Sequence, residues 1–286
     1  MTFQASPAYH RRRLQDRIIR GLCVLAAAAA IYPLLAVLGY VASRGISAIN
    51  WDFFTKTPAP VGDVGGGMAN AILGTVYIVA LACYVAIPVG VITGVFLAES
   101  PGTSRFARIV RFSNDVLAGA PSIVVGLFAY AFVVVPMGRP SAYAGGFALS
   151  VVMIPIITRT TEELVRMVPD TLREAALALG VPRWRATLFV VLRSAASGIL
   201  TGVMLAVARA MGETAPLLFT ALGNEFWNIA LDQPMASMPV QIYRYASSPY
   251  EEWHAMAWAG ALVLVVLVLI LNIVARLVIR RPESGR

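Results

Sequence analysis

The 286 residues are 58% hydrophobic and only 13% charged, with a mean hydropathy of +0.74. So little polar surface cannot clothe a soluble domain of this length, and large domains outside a membrane are excluded. The 23 Lys and Arg outnumber the 15 Asp and Glu, yet they fall in short clusters between long uncharged stretches, which is a pattern of membrane topology and not of nucleic-acid binding.

At about 20 apolar residues per crossing, the chain has room for about six spans. Taken in order, stretches free of Asp, Glu, Lys and Arg at 21–43, 64–98, 116–138, 140–158, 194–208 and 253–275 predict them. The first follows a basic stretch, and its uncharged length exceeds an ordinary signal-peptide core, so it reads as an uncleaved first helix. The fifth is interrupted by Arg209 and Glu213 but resumes at 214–224, predicting one crossing helix with an embedded ion pair. Pro33, Pro88, Pro155 and Pro216 are tolerable in such helices where neighbours re-satisfy the freed carbonyls. Gly90 and Gly94, and again Gly198 and Gly202, stand four apart and permit close backbone contact with a neighbour. Cys23 and Cys83 lie in apolar runs without a CxxC partner and read as small buried hydrophobes. No internal repeat of the kind used by self-contained inverted-repeat transporters is evident.

Charge sets the expected orientation. With the N-terminus in the cytoplasm, eighteen basic residues lie inside, four (Arg44, Lys56, Arg139 and Arg244) lie outside, and Arg209 lies within the bilayer. That imbalance predicts cytoplasmic termini. The chain divides into a 1–20 N-terminal tail, a 21–275 six-helix domain that includes a cytoplasmic loop at 159–193, and a 276–286 tail.

Within that loop, Thr171 and Glu174 have the spacing of a capping box, in which hydroxyl and carboxylate each satisfy a free backbone N–H at a helix start. Leu172, Ala175, Ala176 and Leu179 follow at i, i+3, i+4 and i+7, giving one narrow apolar face. Gly180 ends the helix and Pro182 opens the next turn. The stripe of small residues suits either docking of another protein or packing on the ends of the chain's own helices, and the pattern leaves both open.

Arg209 lies fifteen residues beyond Ser194, about 20 Å from the cytoplasmic boundary at ~1.5 Å rise per residue. An arginine at that depth costs about 2.5–3.5 kcal/mol on insertion scales unless it faces a partner or water. Glu213, four residues on, supplies a partner. An ion pair that merely cancels its own burial is the poorer reading, because two apolar residues would remove the penalty outright and Arg before Glu is the less favourable helical order. The better reading is a planar fork of N–H donors offered to a passing oxyanion, with Glu213 holding the fork and accepting a hydrogen bond from a protonated oxyanion. Hydrogen phosphate carries that proton at neutral pH and sulfate does not. Thr214 adds a hydroxyl beside the pair, and Pro216 loosens the helix locally.

Two motifs give these residues a family. Glu174-Ala175-Ala176 with Gly180 resembles the EAA signature of ATP-binding-cassette (ABC) importer permeases, which implies a coupling helix fitting a groove on an ATPase subunit. The family's continuation ends in a proline, whose place is taken here by Arg193. The run from Ala208 to Pro216, Ala-Arg-Ala-Met-Gly-Glu-Thr-Ala-Pro, resembles the ARAxGETAP motif of permeases of the phosphate-specific (Pst) system; sulfate and molybdate permeases share its R-A-x-G-E core, and the Thr-Ala-Pro continuation favours phosphate. The stretch from Asn114 to Leu127 is similar to one opening the third helix of those permeases. Pro239-Val240-Gln241-Ile242-Tyr243 and Ala257-Trp258-Ala259 resemble the PstA type more than the PstC type. The resemblance implies an all-α membrane protein of the six-helix, type I ABC importer permease (MetI-like) fold in a bacterial inner membrane. It also implies a heterodimer with a PstC-like permease, two PstB-like ATPases that bind ATP and magnesium, and a PstS-like phosphate-binding protein.

Lys56, the sole lysine, is preceded by Thr55 where a Walker A motif requires Gly, so energy must come from a separate ATPase or an ion gradient. His10 and His254 lack a zinc-like partner at i+4, two histidines at the chain's ends give no ground for a Ser-His-Asp arrangement, and catalysis by the chain itself is not expected. No cofactor or metal is expected in this chain. A self-contained secondary transporter with Glu213 as proton carrier, and a permease for sulfate or molybdate, remain the competing readings. The external loop at 223–252, with Trp227, Tyr243 and Tyr250, reads either as the dock of a loaded binding protein or as an interfacial aromatic belt.

Overall fold

The computed structural model describes residues 7–60 and 65–279, excepting the side chains of residues 7–10, 14, 278 and 279. The expected start of the second span at Val64, the His10 side chain and the basic residues Arg280, Arg281 and Arg286 lie outside the described residues. Every regular element among the described residues is helical.

The first helix, α1 (Pro7–Gly45), runs without a break from the expected tail through the first span. Its side chains stay exposed until the last turns, where the Tyr40 ring meets Trp258 edge-on at 5.2 Å. There Gly45 approaches so closely that a Cβ would lie 2.7 Å from the Trp258 carbonyl oxygen. The short α2 (Trp51–Thr55) begins where the Asn50 side chain accepts the Phe53 N–H at 2.8 Å, a side-chain cap for an otherwise unpaired donor, and it buries Phe53 completely. Next come α3 (Ala69–Glu99), α4 (Arg105–Gly119), α5 (Ser122–Met137) and α6 (Ala142–Arg166). The remaining helices are α7 (Asp170–Ala178), α8 (Arg183–Met211), α9 (Ala215–Thr220), α10 (Met238–Ala246) and α11 (Glu251–Ile279).

Among the described residues, five helices are long and apolar enough to cross a membrane, and six spans result when the bent pair α4–α5 is counted as one. The expected third span at 116–138 is therefore corrected in shape. Residues 116–119 belong to α4, which meets α5 at 106°. The bend falls at Pro121, which has no N–H to give and holds Ala120 extended at φ −68°, ψ 132°. The fourth span starts at Ser141, whose hydroxyl accepts the Ala144 N–H at 3.1 Å, and runs eight residues past the expected end at Thr158. It can do so because its added charges are paired: Arg159 with Glu163 at 3.1 Å and Arg166 with Glu162 at 2.8 Å.

Helix α6 lies at the centre of the core. On one side it meets α3, where a Cβ at Gly90 would strike Ile157 and one at Gly94 would lie 2.6 Å from the Thr158 carbonyl oxygen. On the other side it meets α8, where Gly198 admits Leu164 and Gly202 admits Thr160. Both glycine pairs thus allow the close approach that their spacing predicts. The segment from Thr220 to Met238 folds back over the start of α6 and α3. The Ser141 N–H donates to the Thr220 carbonyl at 3.0 Å, the Asn70 side-chain amide to the Asn224 carbonyl at 2.7 Å, and the Met238 N–H to the Thr75 hydroxyl at 2.8 Å. These bonds satisfy backbone groups that apolar surroundings would leave costly.

Candidate functional site

The fifth span differs most from its expected form. It is not one helix carrying an ion pair: α8 ends at Met211, residues 212–214 are non-helical, and α9 resumes only as far as Thr220. Pro216 explains the break, since it has no N–H and its ring would collide with the carbonyl of Gly212. It now sits in the first turn of α9, where a missing N–H does no harm. Gly126 of α5 lies against this turn, close enough that a Cβ there would stand 2.7 Å from Pro216 Cα.

The break puts Arg209 in the last turn of α8, where free carbonyls give the helix end a partial negative charge that favours a cation. Its Nε lies 3.4 Å from Glu213 Oε1 across the turn, so the pair forms although Glu213 is no longer on the helix. The partners are unequally exposed: the Glu213 side chain is 16% exposed and that of Arg209 59%. The carboxylate is tucked in, and Arg209 lines a pocket of about 230 Å³ between α4, α5, α6 and α8. Ser122, Pro155, Thr160 and Arg159 share that pocket's wall. Glu213 and Thr214 do not line it. Thr214 instead caps α9 through its main chain, its carbonyl accepting the Leu217 and Leu218 N–H groups at 3.1 and 3.2 Å.

Arg159 was legible only as one more inward charge. The structure brings Arg159 to the wall of the same pocket as Arg209, its guanidinium held by Asp115 of α4 at 3.1 Å and by Glu163 at 3.1 Å. The signal available was the carboxylate four residues on, which matches the spacing of Arg209 and Glu213.

Just beyond the end of α6, α7 starts at Asp170 after Pro169, with no side-chain cap. The expected capping box of Thr171 and Glu174 does not form, because Thr171 is already inside the helix. Asp170 in the first turn places a carboxylate at the positive helix end in its stead. The end of α7 is as expected: Gly180 takes φ +77°, its N–H donates to the Leu177 carbonyl at 2.9 Å, and the Val181 N–H donates to that of Ala176 at 3.1 Å. This double closure requires the left-handed residue that glycine supplies. Along the predicted stripe Ala176 is buried, whereas Leu172, Ala175 and Leu179 are exposed, as is Glu174.

The loop expected outside the membrane contains the unforeseen helix α10, started by Ser237 with Pro239 in its first turn. It leaves Phe226, Trp227 and Tyr243 each more than half exposed. Arg244 of α10 donates to the Leu222 carbonyl at 2.5 Å and holds the turn at Leu222 and Gly223, both at positive φ.

Residues 86–284 match the family described as the binding-protein-dependent transport system inner membrane component. The chain belongs to this family. It is accordingly a multi-span, helical inner-membrane transport component and not itself a catalytic subunit. It is 44% identical to the phosphate transport system permease protein PstA of Yersinia pestis, over 95% of this chain and 92% of that protein. With the protein of the same description from Haemophilus influenzae the identity is 45%, over 94% and 95%. Among solved structures, the chain is similar to a bacterial alginate ABC transporter in complex with an alginate pentasaccharide-bound periplasmic protein, with a TM-score of 0.66 at 13% identity over 96% of this chain and all of that one. It is also similar to the MetNI methionine ABC transporter in an inward-facing conformation, with a TM-score of 0.61 at 20% identity over 74% and 96%. At those identities the likeness speaks for the fold alone, and the fold is the MetI-like importer permease fold expected from the sequence.

Proposed function

We propose that this chain is a PstA-type permease subunit of an ATP-driven phosphate importer and forms the translocation pathway with a second, PstC-like permease. The observation that carries the reading is the unequal exposure of the Arg209–Glu213 pair. A carboxylate tucked behind a guanidinium braces it and leaves donors of the fork free for a substrate oxyanion. Glu213 then accepts the hydrogen bond of hydrogen phosphate, and Thr214, fixed at the same break, borders the path. The phosphate permeases to which the chain is similar over nearly its whole length support the same substrate.

One of two PstB-like ATPases docks on α7 through Glu174, Ala175, Ala176 and Gly180, and the two ATPases bind the ATP and magnesium, so that this chain needs no cofactor of its own. The exposed stripe of α7 supports that role, since its own bundle covers only Ala176. A PstS-like phosphate-binding protein delivers substrate on the opposite face, and both termini lie in the cytoplasm of a bacterium, in keeping with the distribution of basic residues.

The test is uptake of labelled phosphate and labelled sulfate by cells lacking the gene, then regaining it. Wild type should restore phosphate uptake, and Arg209→Ala should lower it by about tenfold or more, the worth of a charge-assisted hydrogen bond. Undiminished uptake by Arg209→Ala removes the proposed site, and restored sulfate uptake in place of phosphate replaces the substrate.

A further inference from the structure

Apolar contact between α7 and the rest of the bundle is thin, since Ala176 is its buried residue. The stronger attachment is polar and passes through Arg173, whose side chain is 22% exposed. One end nitrogen of its guanidinium donates to the carboxylate of Glu99, the last residue of α3. The other donates at 3.0 Å to the carbonyl of Val165, in the last turn of α6. Final carbonyls of a helix have no partner further along it, so one arm of the fork helps to satisfy that of Val165 at the end of α6 while the other takes the Glu99 carboxylate at the end of α3, and the two ends are tied together.

The ends so joined are already one unit. Arg111 of α4 and Arg166 of α6 both reach the Leu97 carbonyl of α3, at 3.4 and 3.3 Å, and both pair with Glu162, whose side chain is 12% exposed. Above this layer, Gly90 and Gly94 lock α3 against α6. Helix α6 also carries Arg159, which shares the pocket wall with Arg209.

We infer that Arg173 is the positioning residue through which displacement of α7 reaches α3 and α6, and with them the wall of the Arg209 pocket. The inference rests on the reading of α7 as the ATPase dock. Without the fork, α7 is left with its chain connections, including the left-handed turn at Gly180, and with its packing against the start of α8, where Leu177 shares a pocket with Ala186 and Val191. A load applied by the ATPase would turn α7 about these and not move the paired helices. A contiguous hydrogen-bonded and close-packed route of this kind can carry coupling between distant sites, but it has to be demonstrated by a coupling measurement.

The experiment uses the complete importer in proteoliposomes, with ATP hydrolysis and labelled phosphate uptake measured on the same vesicles. Arg173→Gln should keep the ATPase subunits and their hydrolysis while uptake per ATP falls about tenfold. Glu99→Arg alone should fall similarly, and Arg173→Glu combined with Glu99→Arg should recover the part of the ratio carried by the link to α3 but not the part carried through the Val165 carbonyl, to which a carboxylate cannot donate; a merely misfolded variant would recover neither. A wild-type ratio in Arg173→Gln overturns the inference, as does a charge swap no better than its single variants or loss of the ATPase subunits from Arg173→Gln. Failure of the wild-type chain to retain ATPase subunits at all counts instead against α7 as the dock.

Discussion

A guanidinium in the last turn of a helix has a different electrostatic setting from one at its middle. The sequence identified Arg209 and Glu213 and paired them correctly, because a cation far from the ends of an uncharged stretch requires a partner whatever the local backbone does. It did not reveal that the backbone between them leaves the helix, since the four-residue spacing that brings them together in a helix also brings them together across a tight turn. Pro216 was the available clue, although proline is also tolerated inside membrane helices, as Pro33, Pro88 and Pro155 are here. The consequence for selectivity can be tested. Glu213→Gln replaces an acceptor that repels a fully ionised dianion with an amide that can donate to one. Sulfate should then compete with labelled phosphate about tenfold more effectively than in wild type, and an unchanged inhibition constant would remove Glu213 from substrate discrimination.

At the scale of elements, the glycine pairs were legible because their i, i+4 spacing puts both on one face, and the structure turns all four toward α6. At Gly94 neither helix has room to give, since the nearest neighbour of an added Cβ is backbone, the Thr158 carbonyl. Gly94→Ala should therefore lower the stability of the purified assembly by about 1–3 kcal/mol, read as a lower unfolding midpoint. The same substitution at Gly102, which has open space around it, should leave the midpoint unchanged. The bend before α5 was not legible, because hydropathy is continuous across 116–138 and says nothing of direction. The signs of α10, a serine followed by proline at the helix start, were present but lay in a segment read for its aromatic residues. The start of α7 was misplaced for a related reason: two residues with capping spacing do not form a cap when the proline before them has already set the first turn.

For the molecule as a whole, the expected orientation makes opposite faces accessible from opposite compartments. In a background with Cys23 and Cys83 replaced by Ser, Thr103→Cys, in the turn between α3 and α4, should react with a membrane-impermeant maleimide only in inside-out vesicles, and Phe226→Cys only in intact spheroplasts. Both parent residues are exposed, so labelling of both from one compartment would refute the topology. Charge asymmetry and span number could be read from the chain because the bilayer imposes them on any sequence. The relation of α1 to the other spans could not, since its hydropathy is that of any crossing helix. Its contacts near Tyr40 and Gly45 fasten it to α11 at one end and leave the rest of its length exposed. A rod pinned in this way turns nearly all of its apolar flank outward, toward whatever lies beside the bundle, be it lipid or a neighbouring subunit.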